Sequence, residues 1–163
     1  MAIIEGTKDA RGLRVTLVVA RFNDFVTERL QRGALEALTT AGAREADISI
    51  VHVPGSFELP LAAQVAASSG EVDAVVCLGC LIKGETVHFE YIASAVAHGI
   101  TAAAAVTGVP IAFGVLTTDS AEQALARAGA GSANKGWEAA MAAVEMATLF
   151  RKLRRRAPEG IRV

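Results

Sequence analysis

The chain has 163 residues, which suits one domain with a substantial core and is too short for two ordinary ones. Hydrophobic residues make up 52% and charged residues 20%, which excludes disorder; aromatics are only 5%, so alanine and other small side chains fill the core. With 16 Lys+Arg against 17 Asp+Glu the formal charge is -1, and no global field steers the molecule to nucleic acid or anionic lipid.

The opening Met1-Ala2-Ile3-Ile4-Glu5-Gly6 lacks the basic start and long apolar stretch of a signal peptide. Residues 1–12 have no local partner and are expected to form an arm that pairs with a neighbouring subunit. Leu13–Ala20 is a β-branched run and predicts a buried strand. Asp24 is placed to cap the next helix, whose apolar positions Val26, Leu30, Gly33/Ala34, Ala37/Leu38 and Ala41 recur every three or four residues until Gly42. Ile48–Val53 is the second strand, and after the turn Pro54-Gly55-Ser56 an alanine-rich helix spans about Glu58 to Ser69. Asp73–Cys80 is the third strand. The loop Leu81–Val87 opens onto a helix over about His88 to Val106, and Pro110–Leu116 is the fourth strand. Asp119 with Glu122 resembles a capping box, starting a helix that ends near Gly129. The small-residue loop Gly129–Asn134 leads to a last helix, about Gly136 to Arg155.

Strands alternate with helices four times, and the strands' apolar runs are continuous, so both faces of the sheet are covered. That is an α/β fold, a three-layer α/β/α sandwich around a four-stranded parallel sheet, in one domain over 1–163. Tyr91–Thr118 carries no Asp, Glu, Lys or Arg. Gly99, Gly108 and Pro110 interrupt it, so it reads as a buried helix, a turn and a buried strand rather than a membrane span. Cys77 and Cys80 form a C-x-x-C pair, but within a strand an odd separation points the side chains to opposite faces. They read as two reduced strand cysteines of a cytosolic protein rather than a redox pair or half a zinc site. The tail Arg151-Lys152-Leu153-Arg154-Arg155-Arg156 reads as a solvated helix end, not a nucleic-acid site.

In an open parallel sheet, ligands bind beyond the carboxyl ends of the strands. Residues there are Arg21-Phe22-Asn23, Pro54-Gly55-Ser56-Phe57-Glu58, Leu81–His88 and Thr117-Thr118-Asp119. Gly79–Thr86 is one residue from a Walker A loop, with Glu85 where the lysine belongs, which argues against a nucleotide triphosphatase. A glycine loop opening onto a helix N-terminus either binds an anion, with Thr86 adding a hydroxyl, or is an ordinary tight turn. His88 at that helix start is either a packing or capping side chain or a general acid–base near neutral pH. Phe22 either stacks on a flat heterocycle or closes the core, and Glu58 either caps its own helix or accepts from sugar hydroxyls. Arg127 and Lys135 flank the small-residue loop, as phosphate ligands or as cations at helix ends.

Five blocks in order carry a resemblance: Arg21–Phe25, Val53–Pro60, Leu78–Tyr91, Phe113–Thr118 and Asn134–Gly136. Together they resemble the 6,7-dimethyl-8-ribityllumazine synthase family over about Ile3 to Leu153. The resemblance implies a flavodoxin-like fold and the condensation of 5-amino-6-(D-ribitylamino)uracil with 3,4-dihydroxy-2-butanone 4-phosphate, with no cofactor or metal. It implies that Phe22 stacks on the uracil; that Ser56, Phe57 and Glu58 hold the ribityl chain; and that Cys80, Leu81 and Ile82 present backbone groups to the uracil edge. Phe113 from a neighbouring subunit packs nearby. Glu85 and Thr86 bind the phosphate with the neighbour's Arg127, Lys135 assists, and His88 moves protons. The resemblance further implies pentamers, twelve of which assemble into an icosahedral shell in some members, so that pentamer, decamer and shell stay open, and a partnership with riboflavin synthase; charge and sequence pattern imply no membrane or nucleic-acid partner. The family usually carries a lysine where this chain has Gly131, glycine where it has Ala133, and threonine where it has Cys80. The loop changes imply weaker phosphate affinity or a differently shaped loop. A lumazine- or flavin-binding shell protein without turnover is the alternative of another class, and the filled catalytic positions favour the enzyme.

Overall fold

The structure, a computed structural model, describes residues 1–156. Its centre is β1 (Val15–Ala20), six consecutive buried residues with both edges paired. The other strands are β2 (Ile48–Val53), β3 (Ala74–Ile82) and β4 (Ile111–Thr118), all parallel, in the order β2-β1-β3-β4. The helices are α1 (Asp24–Thr40), α2 (Leu59–Ser68), α3 (His88–Thr107), α4 (Ala121–Arg127) and α5 (Lys135–Arg156). Val15, Leu17 and Val19 of β1 join a core with α1 and α5, while Val18 and Ala20 join a second core with α2 and α3. The α/β sandwich expected from the continuous apolar strands is therefore present. Chain connections reverse direction between β1 and β3, which opens a crevice at their carboxyl ends. Cys77 and Cys80 fall in opposite cores, as their spacing requires.

Four details differ from the sequence reading. Residues Leu81 and Ile82 belong to β3 rather than to the following loop, because β4 continues to Thr118 and pairs with them. Helix α4 is capped by Ser120, one residue beyond the expected Asp119, since Thr118 is still in the strand: Ser120 Oγ accepts from the Gln123 N–H at 3.2 Å, and Gln123 Oε1 accepts from the Asp119 N–H at 3.1 Å. The segment before Leu13 has partners within its own chain. Thr7 N–H donates to Thr148 Oγ1 at 2.8 Å, Lys152 Nζ donates to Glu5 O at 2.8 Å, and Ala10 is fully buried. The basic end of α5 is likewise engaged rather than merely solvated. Arg151 pairs with Asp73 at 3.0 Å, and Arg154 donates to Gly108 O at 3.0 Å.

Helix α3 is the largest correction. It is long and apolar enough to cross a membrane, yet only Val96, Ile100 and Ala103 are buried in the chain. Tyr91 and Val106 are 73% and 75% exposed. The sheet covers one stripe of a helix that is apolar nearly all round.

Candidate active site

Asn23 is the N-cap residue of α1, with φ 62° and ψ 46°, and its side chain caps nothing. Its Nδ2 instead donates to Cys80 O at 2.9 Å, across the crevice between β1 and β3. Asp24, expected as the cap, lies inside the first turn, where its charge suits the helix dipole. Beyond β1 the ladder continues: Arg21 N–H donates to Val53 O at 2.9 Å and Phe22 N–H to Pro54 O at 3.0 Å. This backbone pairing holds the Phe22 ring at the crevice mouth, 69% exposed.

Around it lies a hollow of about 480 Å³ lined by Phe22, Asn23, Ser56, Phe57, Glu58, Leu81, Ile82, Thr86 and His88, with Ile92 behind. The structure thus brings together eight of the expected residues from three strand ends and the start of α3. Ser56 is buried, and the Glu58 Oε2 accepts from the Gly55 N–H at 3.0 Å. That is the local capping role of Glu58; its other oxygen remains able to accept from a ligand. His88 is exposed in the first turn of α3, beside the glycine loop. Cys80 and Glu85 do not line the hollow. Cys80 contributes its carbonyl, already taken by Asn23, and burial pushes its thiol up to about 11. Burial pushes the Cys77 thiol up further, to about 12.

Phe113, Arg127 and Lys135 line a different hollow, of about 400 Å³, along β4 and the first turns of α5. The two hollows share no lining residue. Phe113 is 47% exposed there, and Arg127 Nη1 donates back to Gln123 O at 3.0 Å. Lys135 Nζ pairs with Glu138 at 2.5 Å. Gly131 has φ +71°, a left-handed conformation in which a lysine would be strained, so the loop is shaped around glycine. Between these cations Asn134 caps α5, its Oδ1 accepting from the Gly136 N–H at 2.7 Å.

Sequence reasoning placed Asn23 on the rim without giving it a role, and passed over Ile92 and Glu138. The last two were findable from helical spacing, four residues past His88 and three past Lys135. The link from Asn23 to Cys80 needs the sheet order.

A family model described as 6,7-dimethyl-8-ribityllumazine synthase matches residues 12–151. A relative from Syntrophus aciditrophicus (strain SB), named 6,7-dimethyl-8-ribityllumazine synthase, is 53% identical over 151 residues, 93% of this chain and 98% of that one.

Proposed function

The chain belongs to the 6,7-dimethyl-8-ribityllumazine synthase family and is a transferase of riboflavin biosynthesis, and we propose that its two hollows are halves of one active site, joined where subunits meet. The enzyme condenses 5-amino-6-(D-ribitylamino)uracil with 3,4-dihydroxy-2-butanone 4-phosphate, releasing phosphate and water. The observation that carries the shared site is the separation of the expected residues into two open hollows with nothing in common.

In this reading Phe22 stacks on the uracil, and Ser56, Phe57 and Glu58 hold the ribityl chain. Leu81 and Ile82 offer backbone groups to the ring edge, with Cys80 behind them and a neighbour's Phe113 opposite. Thr86 and the backbone at Glu85 receive the phosphate at the start of α3, where free N–H groups and the helix dipole favour an anion. A neighbour's Arg127 and Lys135 complete the charge balance. The 5-amino group adds to the ketone to give an imine, phosphate leaves by elimination, and the ring closes with loss of water. His88 relays the protons of these steps. Holding two substrates face to face supplies much of the remaining acceleration.

A chain that donates one half-site to one neighbour and accepts another from a second neighbour makes head-to-tail contacts, which form a ring when the rotation between subunits closes. Family resemblance makes that ring a pentamer and twelve rings an icosahedral shell, with riboflavin synthase as a partner and the cytoplasm as the compartment. The uncovered apolar surface of α3 suits such a contact. As the crossover between the hydrogen-bonded strands β3 and β4, α3 cannot enter a bilayer without dismantling the sheet.

Mixing the purified protein with both substrates tests this reading. Lumazine absorbance should grow only when both are present, and native mass spectrometry should show a multiple of five chains. A monomer with full turnover would overturn the shared site.

A further inference from the structure

We propose that Asn134 is a positioning residue for the phosphate substrate: its buried amide fixes where Arg127 and Lys135 stand. The inference rests on reading their hollow as the phosphate half-site. Asn134 is 2% exposed. Its Oδ1 accepts from the Gly136 N–H at 2.7 Å and from the Trp137 N–H at 3.3 Å, at the first turn of α5. Its Nδ2 donates to Gly129 O at 2.7 Å and to Arg29 O at 3.0 Å. Both donors and the acceptor of the carboxamide are therefore used, on three segments. Gly129 lies two residues past Arg127, and Lys135 adjoins Asn134 in the chain. The residues between, Ala130-Gly131-Ser132-Ala133, have small side chains and form one 3-10 turn over Gly131–Ala133, in which the Asn134 N–H donates to Gly131 O at 3.0 Å. Capping α5 needs only the acceptor, which a serine or aspartate also supplies. The two donor bonds do something more: they hold the Arg127 end of the loop and the Lys135 end at one separation, against α1. An ion pair to phosphate depends on that placement.

Asn134→Ser tests the idea, because its hydroxyl retains the cap while both donor bonds are lost. The Michaelis constants of both substrates and inhibition by inorganic phosphate are measured, with Arg127→Ala beside it. Arg127→Ala should raise the phosphate-substrate constant about 10- to 100-fold, the worth of a charge-assisted hydrogen bond. Asn134→Ser should raise it, and weaken phosphate inhibition, by about 3- to 10-fold, with the aminouracil constant within about 2-fold. If Arg127→Ala changes nothing, the phosphate half-site reading falls and the proposal with it. If Arg127→Ala acts as expected but Asn134→Ser moves neither constant, or both alike, Asn134 is only a structural cap and the half-site reading stands. Gly33→Ala gives a second route should Asn134→Ser fail to fold. A Cβ there would stand 2.4 Å from Asn134 Oδ1, displacing the amide without removing it, and the same split between substrates is expected.

Discussion

Asn23 and Cys80 are joined across the switch point of the sheet, the Asn23 amide donating to the Cys80 carbonyl at 2.9 Å. Asn23 is also the only non-glycine residue with positive φ among the described residues. Asparagine tolerates that conformation better than most residues. The strained turn and the hydrogen bond therefore act together: the chain turns sharply after Phe22 because the next side chain is anchored on the neighbouring strand.

Two substitutions separate those contributions. Asn23→Gly loses the bond but keeps an easy turn, and should cost about 1 kcal/mol of unfolding free energy. Asn23→Ala loses the bond and strains the turn, and should cost about 2–3 kcal/mol. Urea unfolding midpoints check the order. Equal midpoints for the two variants would mean the turn carries no conformational cost.

The aromatic ring and the carboxylate of the larger hollow are separable in the same way. Phe22→Ala should weaken the aminouracil substrate by about 1–3 kcal/mol, from lost stacking and burial. Glu58→Gln still accepts from the Gly55 N–H, so its effect reports the lost charge rather than a disturbed turn. It should cost about 1.5–3 kcal/mol in binding of the same substrate. Steady-state titration of each substrate checks both, and an unchanged aminouracil constant in both variants contradicts the placement.

Local pattern carried the order of elements and the two-faced burial of the strands, because fully covered parallel strands leave continuous apolar runs such as Val15–Ala20 and Ala74–Cys80. It carried the opposite facing of Cys77 and Cys80 for the same reason. What it missed depends on distant partners. The ends of β3 and β4 are set by their mutual pairing, and Thr7 meets Thr148 across 141 positions. An apolar helix reads alike whether its own sheet or another chain covers it, which is why α3 looked buried. Within the candidate site, the rim after each strand was visible from topology. Its division into two hollows was visible only in part, through the distance of Arg127 from the glycine loop.

The cysteines give a pH dependence with a definite sign. Burial raises Cys77 to about 12 and Cys80 to about 11, so the folded state favours the neutral thiols. Unfolded thiols ionise near the usual value of about 8.5–9. Below that pH both states are neutral and stability is unaffected. Above it the unfolded chain has lost protons that the folded chain keeps, and stability falls up to the folded values, by at most about 1.4 kcal/mol per pH unit per thiol. Unfolding midpoints measured from pH 8 to pH 11 should decline, and the decline should shrink in a Cys77→Ala, Cys80→Ala double variant relative to its own value at pH 8. Native protein at pH 8 should also resist thiol reagents until denatured. Rapid labelling without denaturant would show that the thiols are reachable.

The proposed division of the site between chains makes the sharpest prediction. His88 and Arg127 line separate hollows of one chain, and on the proposed reading a complete site takes His88 from one subunit and Arg127 from the next. His88→Ala should lower turnover by about 10- to 10⁴-fold while leaving assembly intact: a positioned proton relay supplies up to about 10⁴-fold, and the low end applies because the imine chemistry also runs slowly without help. Arg127→Ala should raise the Michaelis constant of the phosphate substrate and spare that of the aminouracil. Assayed at low phosphate substrate, each variant alone is then poorly active, since every site lacks one group. In mixed oligomers, some interfaces pair an intact His88 with an intact Arg127, and others lack both. Co-refolding the two variants in equal amounts should therefore restore roughly a quarter of parental activity, the fraction of interfaces that random mixing leaves complete. Native mass spectrometry confirms that mixing has occurred. Mixed assemblies no more active than the separate variants would place His88 and Arg127 in the same chain's site, and would overturn the head-to-tail arrangement.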